Sequence, residues 1–316
     1  MSSLLSPWPG VVDTELEVGG RPVRVLRADS RRPGSDAVPQ LLVHGLGGSA
    51  VTWVEIMPGL AERGPVVAVD LPGFGRTLPV DGDALTVPGY VEFVVAVADA
   101  LGWDRFDLHG NSMGGLVSVL LAARHPQRVE HLVLVSPALP PRTPLHFALP
   151  ARATIDGMVP IAVSTVSAAV LGVVGIAGPE LTERRNRQLL RLIFSDPDGV
   201  NRSLLELMAA DFRGDDATTV RSRRRALRSA TRSIAALWTD PRGVWRAIDR
   251  VKAPTLLLGG TRDALIPAKV LRAVLARRPD WTGRVLDDRR HALMMEDPAS
   301  YLGEFARWRD ATERAA

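Results

Sequence analysis

Five short apolar runs constrain this 316-residue chain more than any other feature: QLLVHG (40–45), PVVAVDL (65–71), RFDLHGN (105–111), HLVLVS (131–136) and TLLLGG (255–260). Each is bounded by glycine, proline or polar residues and reads as a strand buried on both faces, as in a parallel sheet. Between them lie segments with apolar residues at helical spacing. These are 90–101 (Val91, Val94, Val95, Ala98, Leu101), 113–124 (Leu116, Leu120, Ala123), 268–278, and 299–312 with Tyr301, Phe305 and Trp308. Strands alternating with helices predict βαβ units and an α/β domain. Ahead of them, runs 11–18 and 22–28 are joined by Gly19-Gly20, which predicts a hairpin with a two-residue turn.

The alternation stops between Leu139 and Trp245, where helical patterns follow a proline-rich entry and no good strand is visible. This stretch reads as an insertion, with residues 1–138 plus 246–316 as the core and 139–245 as a helical cap. Residues 157–179 carry no charge. That length can span a bilayer, but Pro160, four glycines, Ser164, Thr165 and Ser167 favour an apolar cap segment, which either lines a site for a greasy ligand or simply packs on the core. Further on, Arg221, Arg224, Arg225, Arg228 and Arg232 recur at helical spacing. Such a face is ordinarily solvated, and the nearby acids Asp211, Asp215 and Asp216 can neutralise it; a membrane surface or an anionic substrate is the lesser expectation.

Charge supports this division. Residues 141–250 hold 17 arginines against 11 acids, whereas the whole chain has a net charge of only +4. Only Lys252 and Lys269 are lysines, a skew that reflects genome composition, and no recognition motif accompanies the charge, so nucleic acid is not expected. The absence of cysteine excludes disulfides, zinc–thiolate sites and a cysteine nucleophile. The opening MSSLLSPWPG has neither a basic nor an apolar signal region, which predicts a cytoplasmic protein.

The chemistry-bearing signal is RFDLHGNSMGGL (105–116): a strand, then Gly-Asn-Ser-Met-Gly, then a helix. This is a G-x-S-x-G elbow, in which a tight turn with small flanks lifts the Ser112 hydroxyl to the start of a helix. A serine needs a base. Of the six histidines, His291 falls between the strand-like run GRVLDD (283–288) and the last helix, at a strand's carboxyl end. His125 precedes a proline, His131 opens a strand at its amino end, and His146 lies in the insertion. Asp263, in GGTRDALIP after the run 255–260, is better placed to orient His291 than Asp287 or Asp288. The loop HGLGG (44–48) follows a strand and can offer the Leu46 N–H to a developing oxyanion, together with that of Met113. Ligands of open α/β sheets bind at the carboxyl ends of strands, where all these residues fall.

The ordered set HGLGG, DLPGFGRT (70–77), GNSMGG (110–115), GTRD (260–263) and RHALMMEDP (290–298) resembles the α/β-hydrolase superfamily in its serine form. The resemblance implies an eight-stranded, mostly parallel sheet with an inserted cap, and hydrolysis without cofactor or metal. It implies Ser112 as nucleophile, Asp263 as acid, His291 as base, and Leu46 and Met113 as oxyanion donors. The family's usual glycine before the catalytic histidine is Arg290 here, and an aliphatic position is His109. Serine at 112 is unlike the aspartate branches, the haloalkane dehalogenases and epoxide hydrolases. The expected activity is cleavage of a carboxylic ester of a hydrophobic small molecule. GNSMGG is also similar to hydrolases that cleave carbon–carbon bonds of ring-cleavage products, although Ala292 replaces their usual tryptophan after the histidine. Thioesterase activity and a non-catalytic ligand-binding role are the further alternatives.

Overall fold

The computed structural model describes residues 5–31, 37–142, 190–211 and 216–315. Its strands are β1 (Val11–Val18), β2 (Arg21–Ala28), β3 (Gln40–Val43), β4 (Val66–Val69), β5 (Phe106–Asn111), β6 (Val129–Val135), β7 (Thr255–Gly260) and β8 (Thr282–Leu286). They form one eight-stranded sheet in the order β1-β2-β4-β3-β5-β6-β7-β8, parallel from β4 onward, with β2 antiparallel to both its neighbours. The hairpin forms as the Gly19-Gly20 pair requires, both glycines having positive φ (58° and 80°).

The described helices are α1 (Met57–Leu60), α2 (Val87–Ala100), α3 (Met113–Arg124), α4 (Arg202–Ala210), α5 (Ala217–Thr239), α6 (Arg242–Arg250), α7 (Ala268–Arg277), α8 (Leu293–Glu296) and α9 (Pro298–Ala315). Helix α2 starts earlier than its apolar spacing suggests. Thr86 caps it by accepting from the Gly89 N–H, and Pro88 sits in its first turn, where a missing N–H is harmless. Among the described residues no helix is long and apolar enough to cross a membrane. The charge-free segment 157–179 lies outside the described residues.

The apolar runs are unbroken because both faces of the sheet are covered. Leu41, Val43, Val67, Val69, Leu132, Leu134 and Leu257 point to one layer, packed with α2, α3, α5, α6 and α7. Leu42, Val66, Ala68, Val133, Val135, Leu256 and Leu258 point to the other, against Trp53, α4, α8 and α9. Burying each such side chain stabilises the fold by about 1.5–3 kcal/mol. The described part of 139–245 contains helices and no strand, and α6 runs continuously across residue 246. Its buried Val244, Ala247 and Ile248 belong to the same core cluster as α3.

Two histidines are tied into the second layer. His131 lies within β6, two residues past its start, where Asp107 holds its Nδ1 at 2.7 Å and Arg309 packs on it. His109 is wholly buried beside Phe305 and bonds the Tyr301 hydroxyl through Nδ1 at 2.6 Å. Burial pushes its pKa down to about 3, so the ring is neutral and accepts from tyrosine. Replacing Tyr301 with phenylalanine strands that nitrogen, and urea unfolding should show a loss of about 1–3 kcal/mol.

Candidate active site

Ser112 stands where β5 hands over to α3, with φ 52° and ψ −116°, a left-handed conformation strained for a side chain with a Cβ. The strain is held from both sides. The Ser112 N–H donates to the Val135 carbonyl at 3.0 Å, and its own carbonyl accepts from Ala138 at 2.8 Å. The flanking residues have no room for side chains. A Cβ on Gly110 would lie 2.4 Å from the Ser118 Oγ, and one on Gly114 would lie 2.2 Å from the Val43 carbonyl oxygen. The spacing of the motif is therefore a packing requirement: α3 begins pressed against the end of β3.

His291 and Asp263, 28 residues apart, are brought together at the ends of β7 and β8. The Nδ1 of His291 lies 2.9 Å from Asp263 Oδ2, while Asp263 Oδ1 accepts from the Leu265 and Ile266 N–H groups, each at 2.9 Å. Burial raises the Asp263 pKa. The neighbouring His291, through charge and hydrogen bond, outweighs this together with the Ile266 N–H and the Ser136 hydroxyl, so the carboxyl stays below its ordinary value. It is thus ionised and accepts from Nδ1–H, which leaves Nε2 as the proton-accepting nitrogen. The other acids weighed from sequence, Asp287 and Asp288, are exposed, and Asp288 pairs with Arg262. Asn111 adds a tie, its Nδ2 donating to the His291 carbonyl at 3.3 Å and to Val135 at 3.1 Å.

Ser112 and His291 line one cavity with Gly45, Leu46, Ile193, Phe194, Met208, Leu265 and Met295. Its wall is mainly apolar, and polar groups concentrate at Ser112, His291, Asn111 and Thr52. Leu46 lies in the HGLGG loop at its edge. Met113 is the first residue of α3, so its N–H has no intrahelical partner. His44 does not line the cavity. Its Nε2 accepts from the Leu71 N–H at 3.0 Å and its Nδ1–H donates to the Gly45 carbonyl at 2.7 Å, stitching the loop to DLPGFGRT. Complete burial lowers its pKa and keeps it neutral.

A family model for the alpha/beta hydrolase fold matches residues 39–298. The chain belongs to this family. Over 251 residues, 77% of this chain and 82% of the relative, it is 31% identical to a pimeloyl-[acyl-carrier protein] methyl ester esterase of Neisseria meningitidis serogroup B. Over 100 residues, 31% of this chain, it is 41% identical to a 2-hydroxy-6-oxo-2,4-heptadienoate hydrolase of Pseudomonas putida, and spans only 36% of that relative's length. Among solved structures, it is similar to a serine hydrolase from the polyaromatic hydrocarbon-degrading bacterium Cycloclasticus zankles, with a TM-score of 0.71, 21% identity and coverage of 96% of this chain and 99% of that one.

Two acids of this α/β-hydrolase support the site from outside, in roles that the sequence did not indicate. Glu296 Oε2 accepts from Ser195 N–H (2.8 Å) and hydroxyl (2.6 Å), while Oε1 accepts from Arg290 N–H at 2.6 Å. The His291 N–H donates to the Ile193 carbonyl at 3.0 Å. Residues 193–195, of which Ile193 and Phe194 line the cavity, are thereby fastened to the histidine loop. The ExP-like position after RHALMM was visible in the sequence, but nothing local indicated its partner. The Arg290 that stands in place of glycine uses its backbone for this contact. Glutamine at 296 can accept on only one side, so Glu296→Gln should slow fluorophosphonate labelling of Ser112 by roughly 10- to 100-fold, measured as a labelling rate.

The second acid is Asp211, at the end of α4. It accepts from the Ser49 hydroxyl at 2.6 Å, next to the HGLGG loop, and lies 3.6 Å from Arg24. Arg24 also serves Asp13 (3.0 Å) and Asp70 (3.3 Å), while Asp70 accepts from the Ala50 and Arg76 N–H groups. Burial, with Asp70 nearby, outweighs Arg24 and pushes the Asp211 pKa up to about 6 from an ordinary 3.8. Between those values the folded protein binds a proton that the unfolded chain has released, so stability falls as pH rises through this window. Asp211→Asn removes that term. Its stability should gain on the wild type by on the order of 2 kcal/mol between about pH 4 and pH 6, read from urea melts across pH.

Proposed function

We propose that this α/β-hydrolase is a serine esterase for a carboxylic ester of a hydrophobic small molecule, acting through an acyl-enzyme. The observation that carries the reading is the 2.9 Å His291–Asp263 contact on a cavity that His291 shares with Ser112. In this mechanism Asp263 holds Nδ1–H, and Nε2 takes the Ser112 proton as the alkoxide attacks the ester carbonyl. The oxyanion is held by the Leu46 and Met113 N–H groups, each worth ~10²–10³ in rate. Collapse expels the alcohol, which takes its proton from His291. Water, deprotonated by His291, then cleaves the acyl-enzyme and releases the acid.

No metal or cofactor enters this scheme. The core is residues 1–138 plus 246–316 and 139–245 is its cap, except that α6 (Arg242–Arg250), which crosses residue 246 unbroken, goes whole with the core. Ile193, Phe194 and Met208, from that cap, with Leu265 and Met295 make an apolar wall suited to an acyl or alkyl chain. The esterase relative, which matches over 77% of this chain, supports the same chemistry. A second reading is carbon–carbon hydrolysis of a ring-cleavage product, favoured by the 41% identity over 100 residues to a heptadienoate hydrolase.

The test uses p-nitrophenyl esters of increasing acyl length with wild type and Ser112→Ala. The variant should lose turnover by on the order of 10⁶, and the preferred length sizes the apolar wall. Undiminished hydrolysis in the variant overturns the mechanism. Inactivity on every ester, together with turnover of a coloured dienoate ring-fission product, replaces the esterase by the second reading.

A further inference from the structure

Helix α5 runs for 23 residues, Ala217–Thr239, without an acidic side chain; only its two caps, Asp216 and Asp240, are acidic, and Asp240 pairs with Arg242. Its inner face is fixed to the core. Ala226, Leu227, Ala230 and Ile234 are buried, and the Arg223 guanidinium donates to the carbonyls of Gly75 (2.6 Å) and Asp211 (3.0 Å). Ser233 Oγ accepts from Val87 N–H, and Trp238 Nε1 donates to the Ala138 carbonyl. The helix therefore has one defined outward face.

That face is arginine. Arg221, Arg224, Arg225, Arg228 and Arg232 are all exposed. At 100° per residue they fall within an arc of about 100°, opposite Ala230, in a straight stripe about 16 Å long. Many exposed arginines elsewhere in this protein pair with a carboxylate, such as Arg31 with Glu62, Arg124 with Glu92, Arg202 with Glu206, Arg242 with Asp240, Arg277 with Asp249 and Arg307 with Glu304. Arg27, Arg250 and Arg272 do not among the described residues, and none of these forms a row of five. Among the described residues Arg224, Arg225, Arg228 and Arg232 pair with none, and Arg221 donates to the Thr218 hydroxyl. The remaining internal stretches carry no excess of negative charge. Residues 143–189 hold four arginines and three acids, and 212–215 one of each.

Like charges three and four residues apart repel along a helix, and nothing within α5 relieves them. An external surface dense in negative charge does. The arc contains no aromatic side chain; Ala235, Ala236 and Thr239 continue it. Nothing is there for a nucleic-acid base to stack on, and a straight row on a convex helix suits a plane of phosphates. We propose that the α5 arginine stripe docks this protein on an anionic phospholipid bilayer. The proposal does not depend on the esterase reading.

The test is co-sedimentation of the full chain with phosphatidylcholine vesicles, with and without phosphatidylglycerol, at low and high salt. Wild type should pellet only with the anionic vesicles, and high salt should release it. At roughly fivefold per arginine, the triple variant Arg224→Gln, Arg228→Gln, Arg232→Gln should bind about 100-fold more weakly. A matched triple elsewhere, Arg31→Gln, Arg202→Gln, Arg307→Gln, should bind as wild type. Unchanged fluorophosphonate labelling and circular dichroism of both triples establish that the fold is intact. If a triple is not folded, the corresponding Arg→Gln single variants carry the same comparison. Equal binding to neutral vesicles, equal loss in both triples, no pelleting at low salt, or binding to an RNA oligonucleotide but not to vesicles overturns the proposal.

Discussion

The close approach of α3 to the end of β3 is the constraint on which the rest of the site depends. The backbone at Gly114 packs on the Val43 carbonyl closely enough to exclude a Cβ, and Ser112 is held at φ 52° between β6 and the helix. A serine in that conformation is sustained only because the surroundings over-determine it. The same approach sets the HGLGG loop, which continues from β3, beside the start of α3. The placement of Ser112, the N–H of Met113 left without an intrahelical partner and the loop carrying Leu46 are consequences of one packing contact rather than three separate devices.

Around that contact the site is supported by buried polar groups whose partners lie far away in sequence. Asn111 ties the serine turn to the His291 backbone, and Glu296 ties the His291 loop to residues 193–195. Asp211 ties the end of α4 to Ser49 and the Arg24 cluster. Each removes a degree of freedom from a cavity wall, as a preorganised site requires. Asp211 is buried and shares the Arg24 guanidinium with Asp13 and Asp70, so burial, with the Asp70 charge, outweighs Arg24 and Asp211 holds a proton to higher pH than a surface aspartate.

Much of the fold was legible in the sequence because its signals are local. An unbroken apolar run reports burial on both faces, Gly19-Gly20 reports a turn, and Gly110 and Gly114 around Ser112 report a close approach. Asp263 and His291 were legible too, since each follows a strand at its carboxyl end. The start of α2 was hidden because its cap, Thr86, and Pro88 are polar or helix-breaking outside their context. His131 reads as a strand opening although it is buried within β6, because its partners Asp107 and Arg309 are remote.

The sequence by itself therefore determined the strands, the elbow and the residue types available for chemistry, since these follow from side-chain periodicity and backbone sterics over a few neighbours. Only the tertiary structure decided the strand order, the 2.9 Å pairing of His291 with Asp263, and the roles of Glu296 and Asp211. It also decided which arginines along α5 stand without a carboxylate among the described residues. Hydrogen bonds act over a few ångströms between residues up to 247 positions apart, and no local pattern encodes such meetings.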